Sequence, residues 1–178
     1  MAVACCFDNE EIGSATKQGA GSSFLQAVLE TLNEALGFTR ADFHKACEKG
    51  MILSIDNAHT VHPAHPEKSD PTNKVRMGEG VVIKHHQNYS TDGFFSALLK
   101  NLLSKNDVKF QDFYCNSDLS CGSTLGLISS CQLHMNALDV GISQLAMHSA
   151  IEMLNPADIQ ELEKCCKLFF ECSFNCEN

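Results

Sequence analysis

Met1 to Phe7 is a continuous apolar run that stops at the polar residues Asp8-Asn9-Glu10-Glu11. A run without polar alternation is the pattern of a strand covered on both faces, so it predicts an interior parallel strand. Met51-Ile52-Leu53-Ser54-Ile55 repeats that pattern, and Val81-Val82-Ile83-Lys84, Phe110 to Cys115 and Ala137 to Val140 are expected as further strands. Between them the spacing changes to a helical one. Phe24, Leu25, Val28, Leu29, Leu32 and Leu36 fall on one stripe, which Ser22 or Ser23 can cap and Gly37 can end. A short helix is expected around Ala41 to Glu48. Another follows the caps Thr91 and Asp92 and carries Phe94, Phe95, Leu98, Leu99, Leu102 and Leu103, and a last one starts at Asn155-Pro156 with proline in its first turn.

From Asn57 to Gly80, prolines, histidines and charges follow one another without periodicity, which predicts a long loop of the kind that more often carries function. The alternation of strand and helix predicts an α/β fold, a mainly parallel sheet flanked by helices, in one domain over residues 1–178. Such a sheet gathers chemistry at the carboxyl ends of its strands. Glu10, Glu11 and Asp56 meet there, and His148 arrives from the loop after the last strand.

Composition narrows the class. A 44% apolar content supplies a core, while a formal charge of -9 and a pI near 5.2 argue against nucleic acid or an anionic membrane as partner. No apolar run approaches the ~18 residues that span a bilayer, and Met1 to Phe7 lacks the basic flank of a secretion signal, so the expected compartment is the cytoplasm. Ten cysteines in a chain this long are read mostly as small buried hydrophobes. Cys5-Cys6 and Cys165-Cys166 are adjacent pairs that strain a direct bridge.

Hydrolysis by two divalent metals needs oxygen and imidazole ligands holding ions ~3.5 to 4 Å apart, together with a base that takes a proton from water. Of two neighbouring glutamates one can ligate, pinned ionised by the cation, while the other accepts and returns the proton. Glutamate pairs are also common on surfaces, so the pair alone decides little. His59, His62 and His65 recur every third residue, and Pro63 and Pro66 push His62 and His65 toward extended backbone. In a polyproline-like segment they stand ~9 Å apart, a poor chelate, so one is expected to function and the others to be exposed. Gly19-Ala20-Gly21 is a weak phosphate cradle, because Phe24 stands where a dinucleotide fingerprint has glycine. Gly122-Ser123-Thr124-Leu125-Gly126 matches a nucleophile elbow only superficially, with threonine at its centre and no identifiable triad. The apolar lead-in to Lys84 favours a buried cation over a solvated strand end, and Asp139 before Gly141 reads as a turn former.

The order and wording of these fragments resemble the aspartyl aminopeptidases, a family of two-zinc exopeptidases. The resemblance rests on Phe7 to Gly21 (FDNEEIGSATKQGAG), Ser54 to Thr72 (SIDNAHTVHPAHPEKSDPT), Gly80 to Lys84 (GVVIK), Gly122 to Gly126 (GSTLG) and Asp139 to Ser149 (DVGISQLAMHS). It implies that Glu10 is the general base, that Glu11, Asp56 and His148 are metal ligands, and that His59, Lys84 and Tyr89 contact substrate. It implies two divalent ions, zinc with manganese or cobalt as substitutes, and removal of N-terminal Asp or Glu from peptides through a metal-bound water. Homo-oligomers are implied as well. The family's first metal-binding histidine and its bridging aspartate precede the matched text, so residues 1–178 are expected to be the carboxyl-terminal portion of the catalytic domain, without the upstream ligands or the dimerisation domain.

Two other classes compete. A catalytically incomplete fragment would associate with full-length subunits through uncovered sheet edges and apolar faces. A cysteine-rich metal-sequestering module would need CxxC pairs, which are missing.

Overall fold

The computed structural model describes residues 1–172. Its centre is a four-stranded sheet in the order β1 (Met51–Ile55), β5 (Asn136–Gly141), β3 (Val81–His85), β4 (Phe110–Tyr114). The pairs β1–β5 and β3–β4 are parallel and β3–β5 is antiparallel, so the sheet is mixed with a parallel majority. A smaller sheet orders β2 (Ala58–His59), β6 (Ser143–Leu145) and β7 (Met153–Leu154), with β2–β6 parallel and β6–β7 antiparallel. This is the α/β architecture that the alternation of elements predicts.

The helices are α1 (Phe24–Ala35), α2 (Arg40–Lys49), α3 (Gly93–Lys105), α4 (Leu125–Leu133) and α5 (Pro156–Glu171). Local chemistry sets their ends. Thr39 and Asp42 form a capping box on α2, the Asp92 side chain accepts from Phe95 N, and Asn155 caps α5 ahead of Pro156. Gly37 takes a left-handed φ of 83° just past α1, where a side chain would be strained. The core is built from Val81, Ile83, Leu138 and Val140 of the sheet against Leu99 and Leu103 of α3 and Cys165 of α5.

Several expectations are corrected. Met1 to Phe7 forms no strand, and Val3 is 42% exposed. An apolar run becomes a strand only where a neighbouring edge accepts its backbone bonds, and among the described residues no strand pairs with it. The α1 stripe is only half used: Leu25 and Leu29 pack on Phe43, Cys47 and Leu133, while Phe24, Val28 and Leu36 are exposed. The segment from Asn57 to Gly80 is not wholly irregular, because it contains β2 and a 3₁₀ turn at Pro66–Lys68. His62 and His65 are not held apart. His65 N donates to His62 O at 3.1 Å, and this turn brings the two rings to 5.3 Å. Asp139 is no turn former: it is buried in β5 and its Oδ2 accepts from Ser90 N and Ser90 Oγ, both at 2.6 Å. Those two donors make burial of the carboxylate tolerable.

The cysteines are less uniform than expected. Cys47 and Cys165 are buried, Cys6, Cys131 and Cys172 are exposed, and Cys176 lies outside the described residues. Burial pushes the Cys165 thiol up to about 12, with Cys166 adding to it. A thiol so placed lacks both thiolate and access. Brief alkylation of the folded chain is therefore expected to label Cys131 and Cys172 and spare Cys165, as read by peptide mass spectrometry; early labelling of Cys165 would contradict this packing.

Candidate metal centre and active-site cleft

Three chain segments deliver carboxylates and an imidazole to one cleft of about 680 Å³. The first is a tight loop after Phe7. Asn9 sits at φ 61°, and Gly13 N donates to Asn9 O and Glu10 O at 3.1 and 3.0 Å, so the loop folds under Glu10 and Glu11. The second is the end of β1, where Asp56 N donates to Val140 O at 3.0 Å and fixes Asp56 against β5. The third is the β6–β7 loop, not the loop after a last strand at Val140. Here Ala146 and His148 both adopt left-handed φ values, 59° and 68°, and His148 N donates to Glu152 Oε1 at 2.6 Å. Non-glycine residues in that region are uncommon and cluster at functional sites.

All seven candidate residues line this cleft: Glu10, Glu11, Asp56, His59, Lys84, Tyr89 and His148. Five of them fall into two groups. In the first, His148 Nε2 lies 3.1 Å from Glu11 Oε2, with both side chains open to solvent. In the second, Lys84 Nζ lies 3.3 Å from Asp56 Oδ2 and donates to Asn57 O at 3.1 Å, with its ammonium 5.0 Å from the Tyr89 ring centroid. Lys84 is the buried cation of the two alternatives, with a side chain 3% exposed.

The electrostatics follow from this placement. Burial raises the Glu10 carboxyl above its ordinary pKa, the charges of Asp56 and Glu11 raise it further, and His148 and Lys84 oppose them. His59 stays below the usual imidazole value, first through desolvation and then through His148 and Lys84. Tyr89 is raised well above the usual phenol range by burial and by its hydrogen bond with Cys121.

Removing Lys84 tests the second group. Breaking a fully buried ion pair costs about 3 to 5 kcal/mol. The Asp56 side chain is 36% exposed, so water recovers part of that. Lys84→Met is expected to cost about 2 kcal/mol in urea denaturation; no loss would mean that Asp56 does not need its cation.

Sequence reasoning missed the residues that hold the loops. Asn57 Nδ2 donates to Gln144 Oε1 at 2.8 Å, tying the Asp56 segment to the strand that leads to His148. Glu152 fixes the His148 backbone, and Cys121 takes the Tyr89 hydroxyl. No spacing announces these pairs, because they join residues far apart in sequence or on irregular backbone. The weak motifs also resolve. Gly19 N and Gly21 N donate to Thr16 O and Ser14 O, so those amides do not cradle a phosphate, and Thr124 is 3% exposed, which removes it as a surface nucleophile.

Glu11 and His148 supply one oxygen and one nitrogen donor facing each other, the donor types zinc takes, and Asp56 supplies another oxygen donor in the same cleft. They fit such an ion in kind but not in number, since among the described residues no three His, Cys, Asp or Glu side chains converge closely enough to hold one.

The α/β scaffold thus gathers carboxylates and an imidazole, the side chains that metal-dependent chemistry uses, in one cleft. The chain belongs to the family described as aminopeptidase I zinc metalloprotease (M18), whose model matches residues 1–170. It is 46% identical over 158 residues to a probable M18 family aminopeptidase 2 of Clostridium novyi, covering 88% of this chain and 36% of that relative. Its fold matches a chain in the cryo-EM structure of the Ape4 and Nbr1 complex with a TM-score of 0.88 at 36% identity, over 93% of this chain and 32% of that one. The S. cerevesiae mApe1 dodecamer matches with a TM-score of 0.77 at 28% identity, over 93% of this chain and 36% of that one. The chain thus spans about a third of the length of these relatives.

Proposed function

We propose that this chain is the carboxyl-terminal portion of the catalytic domain of an M18 aminopeptidase that removes acidic residues, Asp or Glu, from peptide N-termini. The observation that carries the reading is the convergence of Glu10, Glu11, Asp56 and His148 on one cleft from three separate segments. Glu11 and His148 would hold one divalent ion and Asp56 a second, with zinc as the expected metal and manganese or cobalt as substitutes. Such ions, when bound, polarise the scissile carbonyl and acidify water. Glu10 is the general base: its raised carboxyl is better matched to accepting a proton from water and returning it to the departing amine than an ordinary glutamate. Lys84 places positive charge beside the cleft, His59 offers a neutral imidazole to substrate, and Tyr89 a phenol. Homo-oligomerisation is part of the proposal and is supported by the dodecameric state named for the yeast relative. No helix among the described residues is long and apolar enough to cross a membrane.

Specificity is tested with aminoacyl anilides after zinc loading. An aspartyl or glutamyl substrate is expected to be turned over at least about tenfold faster than a leucyl one, a gap of ~1.4 kcal/mol. Equal rates would remove the acidic preference while leaving the peptidase reading intact.

A second reading, an incomplete fragment that works only by joining full-length subunits, is favoured by the absence of a three-donor cluster among the described residues and by the exposed apolar face of α1. Metal titration separates the two. Two ions per chain with tight binding support an autonomous site, whereas weak or single-ion binding supports the fragment.

A further inference from the structure

Cys115 follows β4 directly, Cys121 lies six residues on, and both line the cleft. The segment between them turns back on itself, with Leu119 N donating to Asn116 O and Asp118 N to Asn116 Oδ1, both at 3.0 Å. Across the turn the Cys115 thiol donates to Leu119 O at 3.9 Å, and the Cys121 thiol is near enough to push it up. Each end is anchored from outside. Asn116 Nδ2 donates to Glu67 O and Ser69 O at 3.0 and 3.3 Å, and Ser69 bridges Cys115 through the backbone. Asn88 Nδ2 donates to Cys121 O at 2.8 Å, and the Cys121 sulfur shares a hydrogen bond with the Tyr89 hydroxyl at 2.9 Å. Both ends of the loop are therefore fixed by contacts that do not depend on a bond between the two sulfurs.

We propose that Cys115 and Cys121 are a thiol–disulfide modification site on the cleft wall, whose oxidation closes the 115–121 loop and removes the thiol partner of the Tyr89 hydroxyl. The oxidant is a low-molecular-weight disulfide such as glutathione disulfide. One cysteine thiolate attacks a glutathione sulfur, the glutathione S–S bond breaks, and one glutathione thiolate leaves. The second cysteine thiolate then attacks the protein-bound sulfur of the mixed disulfide and expels the other glutathione. The protein loses two protons and two electrons, and both glutathiones end as thiols. Burial, with Cys121 next, pushes the Cys115 thiol up to about 11, so the reaction is slow at neutral pH and accelerates as pH rises. The loss of the Tyr89 partner bears on catalysis only if Tyr89 has its proposed substrate role; the disulfide itself does not depend on that role.

The test uses the full chain equilibrated in glutathione redox buffers at mildly alkaline pH, quenched with a maleimide and mapped by peptide mass spectrometry. The expected product is a Cys115–Cys121 linked peptide, two hydrogens lighter than the reduced pair. It should form under more reducing conditions than those that glutathionylate exposed Cys131, and dithiothreitol should reverse it. Cys131→Ser should leave the linkage unchanged and Cys121→Ser should abolish it. Recovery of Cys115 and Cys121 as free thiols or as separate glutathione adducts, under conditions that oxidise Cys131, would overturn the proposal. The decisive readout comes from the unmodified sequence, so a variant that fails to fold does not blunt it.

Discussion

Glu10→Gln is expected to lower turnover by at least about a hundredfold in the zinc-loaded enzyme that contains this chain, with metal content unchanged. Glutamine keeps the size and leaves the neighbouring loop bonds intact, since Gly13 N bonds the Glu10 backbone carbonyl and not its side chain. It cannot take a proton from water. Glu11→Gln is expected to do the opposite first, weakening metal binding because its carboxylate is the one that faces His148 Nε2. Parallel activity assays and metal analysis of the two variants check this. If Glu10→Gln loses metal and Glu11→Gln keeps it, the roles of the two glutamates are exchanged.

Gly141→Ala is expected to be the most damaging single methyl group near the site. A Cβ at Gly141 would press into the Asp56 carbonyl and lie 3.1 Å from Asn57 Cα. Neither side can yield easily. Asp56 N donates to Val140 O and Ala58 N to Ile142 O, both at 3.0 Å, so the backbones on either side of the contact are stitched together, and Gly141 also pairs with Val82 of β3. Overpacking against backbone costs typically 1 to 3 kcal/mol, and about 3 kcal/mol is expected here. The same shift displaces Asp56 and, through Lys84, loosens the second group of the cleft. Thermal or urea unfolding gives the first number, and zinc affinity measured on the folded fraction gives the second. A variant of normal stability and normal affinity would show that the approach of Gly141 to Asp56 is not tight.

The parts of the fold that were legible in the sequence are those whose burial is one-sided or complete over several residues. β1, β3 and β5 carry apolar runs long enough to read, and α3 carries a helical stripe that buries Leu99 and Leu103 as its spacing implies. β2 and β7, with two residues each, and β6, with three, are too short to show any period. Met1 to Phe7 shows the reverse failure, since apolar content says that a segment wants cover but not that an edge is there to pair with it. Strand order was beyond pattern reading. β5 enters between β1 and β3, and its antiparallel pairing with β3 arises from long-range contacts that no local residue encodes.

Part of the cleft was legible because a carboxylate at the end of β1, a glutamate pair and an imidazole in loops mark themselves chemically. The supporting contacts did not. The Asn57–Gln144 tie, the Glu152 hold on His148 and the Cys121 bond to Tyr89 involve ordinary polar residues whose significance appears only when the chain is folded. Asp139 shows why local rules mislead there: an aspartate two residues before glycine resembles a turn, yet two donors from Ser90 make it a buried anchor.

Anomalous scattering at the zinc absorption edge, recorded from crystals grown with zinc, is the most direct measurement of whether these side chains gather around metal. A peak is expected within ~2.0 to 2.2 Å of a Glu11 carboxylate oxygen and a His148 ring nitrogen, with any second peak on Asp56. Zinc bound elsewhere on the surface, with Glu11, His148 and Asp56 all bare, would contradict the assignment.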